Sequence, residues 1–100
     1  MPHPFEIHHD LAAHCFEARK GTTLVGMLMY EREGTTVSLL HTVTDPAHRG
    51  EGIASALVLR VFTDARKTGM SLVVICPFVE SWVARHPDQA DLVIEDAKSR

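Results

Sequence analysis

The part of the sequence with the most chemical potential spans residues 41–55. There an alternating apolar run meets Asp45 and Pro46, followed by Arg49 Gly50 Glu51 Gly52 and then by Ile53 Ala54 Ser55 at the head of a helical pattern. Gly50 and Gly52 let the backbone turn tightly and approach a ligand closely. The first N–H groups of a helix have no intrahelical partner, and the helix dipole adds partial positive charge at the same end. Arg49 supplies a full charge with planar donors that match phosphate oxygens. Together these groups suit an anion, although two glycines ahead of a helix also serve as ordinary loop chemistry.

Cys76 and His41 are the side chains that could add a reaction to binding. A thiolate at Cys76 is a nucleophile, whereas a protonated thiol at the end of an apolar strand is core packing. Neutral His41 can accept a proton near neutral pH, or it can be hydrogen-bonded inside a sheet. Its alternation with Val37, Leu39 and Val43 predicts that it shares their face, buried or at the edge of a ligand cleft. His3, His8, His9 and His14 crowd the start of the chain. Adjacent His8 and His9 fall on opposite faces of a strand, and no Cys or carboxylate completes a ligand spacing, so no metal is expected.

These residues need a frame to position them. Phe5, Ile7, Cys15, Phe16 and Ala18 fit one or two short strands. Lys20 and Gly21 turn the chain, residues 22–32 read as a strand with both faces partly covered, and Gly34 turns it back. Over residues 35–44, Val37, Leu39, His41 and Val43 alternate with Thr36, Ser38, Leu40 and Thr42, which predicts the last strand of an antiparallel meander. Pro46 ends it. Ile53, Ala56, Leu57, Val61 and Ala65 then recur at helical spacing, Arg60, Asp64 and Lys67 take the other side, and Gly69 sits where a C-terminal cap belongs. Residues 71–76 form an apolar, β-branched run closed by Pro77, the pattern of a buried strand beside a crossover helix. Val79, Trp82 and Val83 mark a short helix that ends by His86 and Pro87, with Trp82 in the core. Asp88 is placed to cap a last helix through Ala97. The expected class is α+β, one domain over residues 1–100.

With 45% apolar and 23% charged residues, the chain has the composition of a folded domain and not of a disordered one. A formal charge of −3, with Lys and Arg scattered, argues against nucleic acid as partner. No apolar run reaches the roughly 20 residues that span a bilayer, and the start lacks the pattern of a signal peptide. A cytoplasmic protein without a membrane partner is therefore expected. Cys15 and Cys76 form no disulfide framework and are expected as free thiols.

Arg49 Gly50 Glu51 Gly52 Ile53 Ala54 resembles the R/Q-x-x-G-x-G/A pyrophosphate motif of the GCN5-related N-acetyltransferases. His41 Thr42, Cys76 Pro77 Phe78 Val79, His86 Pro87 and Ala90 Asp91 Leu92 Val93 extend the resemblance to a subgroup of small acetyltransferase-like proteins in that family, from about Phe16 to Val93. The resemblance implies a reduced version of the family fold: an antiparallel β-meander, a long pyrophosphate-binding helix, a further strand and short C-terminal helices. It implies acetyl-CoA as cosubstrate, with the pyrophosphate on Arg49, Gly50, Glu51, Gly52, Ile53, Ala54 and Ser55. The pantetheine arm would lie along the strand at His41, Thr42 and Val43.

The resemblance also implies acetyl transfer to a primary amine, on a small molecule or a protein lysine. Cys76 and His41 would be the catalytic residues, and Cys76 can take the acetyl group first. The Tyr that protonates the leaving thiolate in larger relatives has no counterpart except Tyr30, which lies in an earlier strand. Val43 and Thr44 stand where the subgroup commonly has Glu and Val, and Gln89 where Tyr is usual. The first change removes either a general base or only a surface charge. The other expectation for so small a chain is an acyl-CoA-binding module without turnover, and the expected assembly is a monomer or weak homodimer.

Overall fold

The computed structural model describes residues 5–95, which form a five-stranded sheet with one long helix packed against it. Strands β1 (Glu6–Asp10), β2 (Cys15–Lys20), β3 (Thr23–Glu33) and β4 (Thr36–Thr44) pair antiparallel in sequence order. A 3₁₀ turn at Pro46–His48 follows, where the Asp45 carboxylate accepts the Ala47 N–H at 3.0 Å. Helix α1 (Ile53–Thr68) then crosses over the sheet, and β5 (Ser71–Val74) returns parallel to β4, as a crossover connection allows. Helix α2 (Pro77–Arg85) and a 3₁₀ turn at Pro87–Leu92 complete the described chain. The α+β order expected from the sequence is present.

One hydrophobic core holds the arrangement. Helix α1 turns Ile53, Leu57, Val58, Val61, Phe62 and Ala65 inward. These meet Phe16, Ala18, Leu28 and Leu39 of the sheet, all of them buried. Full burial of the Val, Leu, Ile and Phe side chains among them stabilises by about 1.5–3 kcal/mol each. Helix α2 joins through Trp82, whose ring lies 5.0 Å from that of Phe62. Trp82 is thus core, as its spacing predicts.

Three features differ from the sequence reading. In β4, Leu39 pairs with Tyr30 but His41 pairs with Met29, so Leu40 is an extra residue and forms a β-bulge. A bulge slips the two-residue period by one. Val37 and Leu39 face the core, but His41 and Val43 are exposed, correcting the expectation that all four share a face.

Strand β5 stops at Val74, two residues before the expected end. The N–H groups of Ile75 and Cys76 both donate to the Leu39 carbonyl at 3.0 Å, which breaks the ladder, and Cys76 becomes the N-cap of α2. The expected last helix is replaced by the 3₁₀ turn. After it the chain extends, bridges Val93 to Leu72 in parallel and places the Ile94 N–H 2.8 Å from the Leu72 carbonyl, because the open edge of β5 offers hydrogen bonds that a helix would forgo. Ala97, like His3 at the other end, lies outside the described residues.

Candidate functional site

The glycine loop sits between the end of β4 and the start of α1. Gly50 and Gly52 have φ of 82° and 77°, a left-handed conformation that other residues adopt with strain, and a Cβ at either position would meet nothing within 4 Å. Gly52 is the N-cap of α1 and offers no side chain to its N–H groups. The donors of Ile53, Ala54 and Ser55 therefore head the helix uncapped, and the Arg49 side chain is exposed without a partner among the described residues.

Glu51 would oppose an anion here, but its carboxylate is occupied. Lys20, at the end of β2, pairs with one oxygen, and His48 Nδ1 lies 3.0 Å from the other. The Lys20 contact first and the His48 contact second hold the Glu51 carboxyl below the usual range, so it stays ionised and neutralised in place. The sequence motif placed Glu51 but not its partners. Lys20 lies 31 positions earlier and becomes a neighbour only through the β2–β3 hairpin.

Next to the loop the sheet splays open. Strands β4 and β5 pair over Thr36–Leu39 and Ser71–Val74 only. From Leu40 to Thr44, β4 has β3 on one side and no strand on the other among the described residues. Cys76 stands at the head of this gap, 4% exposed, with Sγ 3.5 Å from Thr42 Oγ1. Burial pushes the Cys76 thiol up, but it is outweighed by the Thr42 hydroxyl, the N–H groups of Val79 and Phe78 at the start of α2, and the Thr42 N–H. The net pKa lies below the ordinary thiol value. In the neutral form the S–H donates to Thr42; in the thiolate form the hydroxyl donates to sulfur. These hydrogen bonds favour the thiolate, while burial limits its access to solvent.

The structure thus brings Thr42 to Cys76 and sends His41 away. Thr42 follows the bulge and takes the inward position that plain alternation assigns to His41, whose side chain is exposed without a hydrogen-bonding partner among the described residues. Tyr30 is buried and engaged with His9, its hydroxyl 2.7 Å from Nε2. His8 lies beside Glu6 at 3.4 Å, and His14 stacks on Tyr30 at 5.5 Å. A group the sequence reading missed is Asp10, Cys15 and Glu17, whose ligand-type atoms lie within 4.8 Å of one another across β1 and β2. Burial foremost, then Glu17 and Asp10, pushes the Cys15 thiol up and keeps it protonated.

A sequence profile described as GCN5-related N-acetyl-transferase matches residues 15–92. No curated protein matches the chain. Among solved structures, the fold is similar to that of a GCN5-like protein of Staphylococcus aureus, with TM-score 0.68 and 15% identity over 96% of this chain and 93% of that one. Rv2747 of Mycobacterium tuberculosis, solved in complex with CoA, has TM-score 0.60 and 24% identity over 74% of this chain and 47% of its own. A ribosomal-protein-alanine N-acetyltransferase of Brucella melitensis has TM-score 0.55 and 23% identity over 83% of this chain and 64% of its own. The chain therefore spans nearly all of the first structure but less than two thirds of the other two. Among the described residues no helix is long and apolar enough to cross a membrane.

Proposed function

Because the chain belongs to the GCN5-related N-acetyltransferase family, we propose that it transfers an acetyl group from acetyl-CoA to a primary amine. The pyrophosphate is held by Arg49 and by the backbone from Gly50 to Ser55, and the pantetheine arm pairs with the open edge of β4 at Thr42 and Val43. One juxtaposition supports this reading above others: Cys76, with its lowered pKa, touches Thr42 at the splay, four residues before the turn that leads into the glycine loop.

The same placement supports a covalent route. The Cys76 thiolate attacks the thioester carbonyl, a bond forms from Cys76 sulfur to the acetyl carbon, and CoA leaves as its thiolate. A neutral amine then attacks the Cys76 thioester. The C–N bond forms, the Cys76 thiolate is released, and the proton lost from nitrogen passes to solvent. Thioester-to-thioester exchange is close to isoenergetic, so the chemical demand on the site is orientation and thiolate formation.

Binding of acyl-CoA without turnover is the second reading, favoured by the low exposure of Cys76 and the outward position of His41. Calorimetric titration of acetyl-CoA and CoA into wild type and Arg49→Glu, at fixed ionic strength because phosphate contacts are screened by salt, tests the binding half. Saturable binding that the variant loses supports the loop assignment; no binding to folded wild type sinks the acetyltransferase reading. Intact-mass analysis after incubation with acetyl-CoA then separates the two readings. An acetyl adduct absent from Cys76→Ala supports the covalent route, and turnover unchanged in Cys76→Ala removes it.

A further inference from the structure

Away from the glycine loop, a cavity of about 390 Å³ opens between the second half of α1 and the sheet. Beneath it lie Phe16, Val61, Ala65 and Leu72, all buried, and Leu11, Val37 and Met70 give its apolar surface. That volume falls in the usual range for small-molecule pockets, about 300–1,000 Å³. The lining takes Val61 to Thr68 from α1, whereas the glycine loop precedes Ile53. The helix has 16 residues, so at about 1.5 Å per residue its two ends lie roughly 24 Å apart.

The polar groups around the cavity select a charge. Tyr30 and His9 satisfy each other at 2.7 Å, and burial above all holds His9 below the ordinary imidazole value, so the pair is neutral. Asp64, the acid in the lining, is neutralised by Arg60 at 3.0 Å. Arg32 from β3 and Lys67 from α1 also line the cavity, and neither is ion-paired with another described residue; Arg32 Nε donates to the Gly34 carbonyl. The result is an apolar surface with two cations beside it that no described residue neutralises.

We infer that this cavity is a second ligand site and takes a small amphipathic carboxylate, its apolar body on Leu11, Val37 and Met70 and its charge at Arg32 and Lys67. The site shares no residue with the glycine loop or with Cys76, and the inference does not depend on the acetyl-CoA reading.

Titration of sodium octanoate into the isotope-labelled chain, followed by NMR, tests it. Saturable shifts are expected at Leu11, Tyr30, Val37 and Met70, with none at Gly50 or Gly52, and they persist in the presence of CoA. Octylamine, with the same kind of tail and the opposite charge, is expected to bind about ten-fold more weakly or less. Arg32→Glu combined with Lys67→Glu changes exposed positions only, keeps the fold, and lowers octanoate affinity by about ten-fold or more. Absence of saturable shifts around the cavity, equal affinity for octylamine, or octanoate affinity unchanged by the double charge reversal overturns the inference.

Discussion

Gly26 of β3 lies beneath the first turn of α1, and its replacement by alanine probes how that turn, and the glycine loop before it, are held. A Cβ there would sit 2.5 Å from Ile53 Cγ2, 3.3 Å from Leu57 Cδ1 and 3.3 Å from the Val43 carbonyl oxygen. Leu57 Cδ1 ends a flexible side chain and can give way. Ile53 cannot, because Cγ2 is bonded directly to its Cβ, a β-branched side chain has one strongly preferred rotamer in a helix, and the residue is 1% exposed. The clash is relieved only by displacing the head of α1.

Overpacking of this kind costs about 1–3 kcal/mol, a substantial part of the roughly 5–15 kcal/mol of a typical domain. With a urea slope of about 1–3 kcal/mol/M, Gly26→Ala is expected to lower the unfolding midpoint by about 1 M. Acetyl-CoA binding should weaken with it, since Ile53 is the first helical residue after the loop. Ile53→Leu removes the γ-methyl at nearly constant volume for less than about 1.5 kcal/mol. In that background the Gly26→Ala penalty should shrink, giving a double-mutant coupling of about 0.5–3 kcal/mol. An unchanged midpoint in Gly26→Ala, or the same penalty in both backgrounds, would falsify the reasoning.

Iodoacetamide labelling followed by mass spectrometry across pH should modify Cys76 at lower pH than Cys15. Thr42 and the α2 N–H groups favour the Cys76 thiolate, whereas burial favours the Cys15 thiol. Thr42→Val should move the Cys76 profile to higher pH and Thr42→Ser should restore it; a profile indifferent to Thr42 removes the assigned role. Lys20→Met strips Glu51 of one cation beside the loop, and calorimetry should find CoA binding about two- to five-fold weaker, with a smaller difference at high salt. Equal affinity at low salt would mean that Lys20 has no part in binding. Trp82→Ala empties the space between Phe62 and His86, whose rings lie 5.0 and 4.1 Å away. It should cost about 3–5 kcal/mol in urea unfolding, and a loss under about 1 kcal/mol would show that α2 is not anchored there.

Elements and their order were legible in the sequence because local rules govern them. Helical spacing from Ile53 to Ala65, with Gly69 where a C-terminal cap belongs, delimited α1, since apolar periodicity and a left-handed glycine act within one turn of chain. Pro46 marked the end of the strand ahead of it because proline removes a ladder donor wherever it stands. The glycine loop was legible for the same reason: its φ angles and uncapped donors are properties of adjacent residues.

The facing of the side chains around the splay was decided only by tertiary pairing. Leu40 carries no mark of a bulge, yet one unmatched residue against Met29 and Tyr30 turns His41 outward and brings Thr42 to a cysteine 34 positions away. The end of β5 depended on the Leu39 carbonyl accepting two N–H groups, and the charge state of the loop depended on Lys20 arriving from another hairpin. Periodicity and backbone restriction act between neighbours and can be read from a single chain, whereas register and ion pairing are settled by which distant partners the folded sheet brings together.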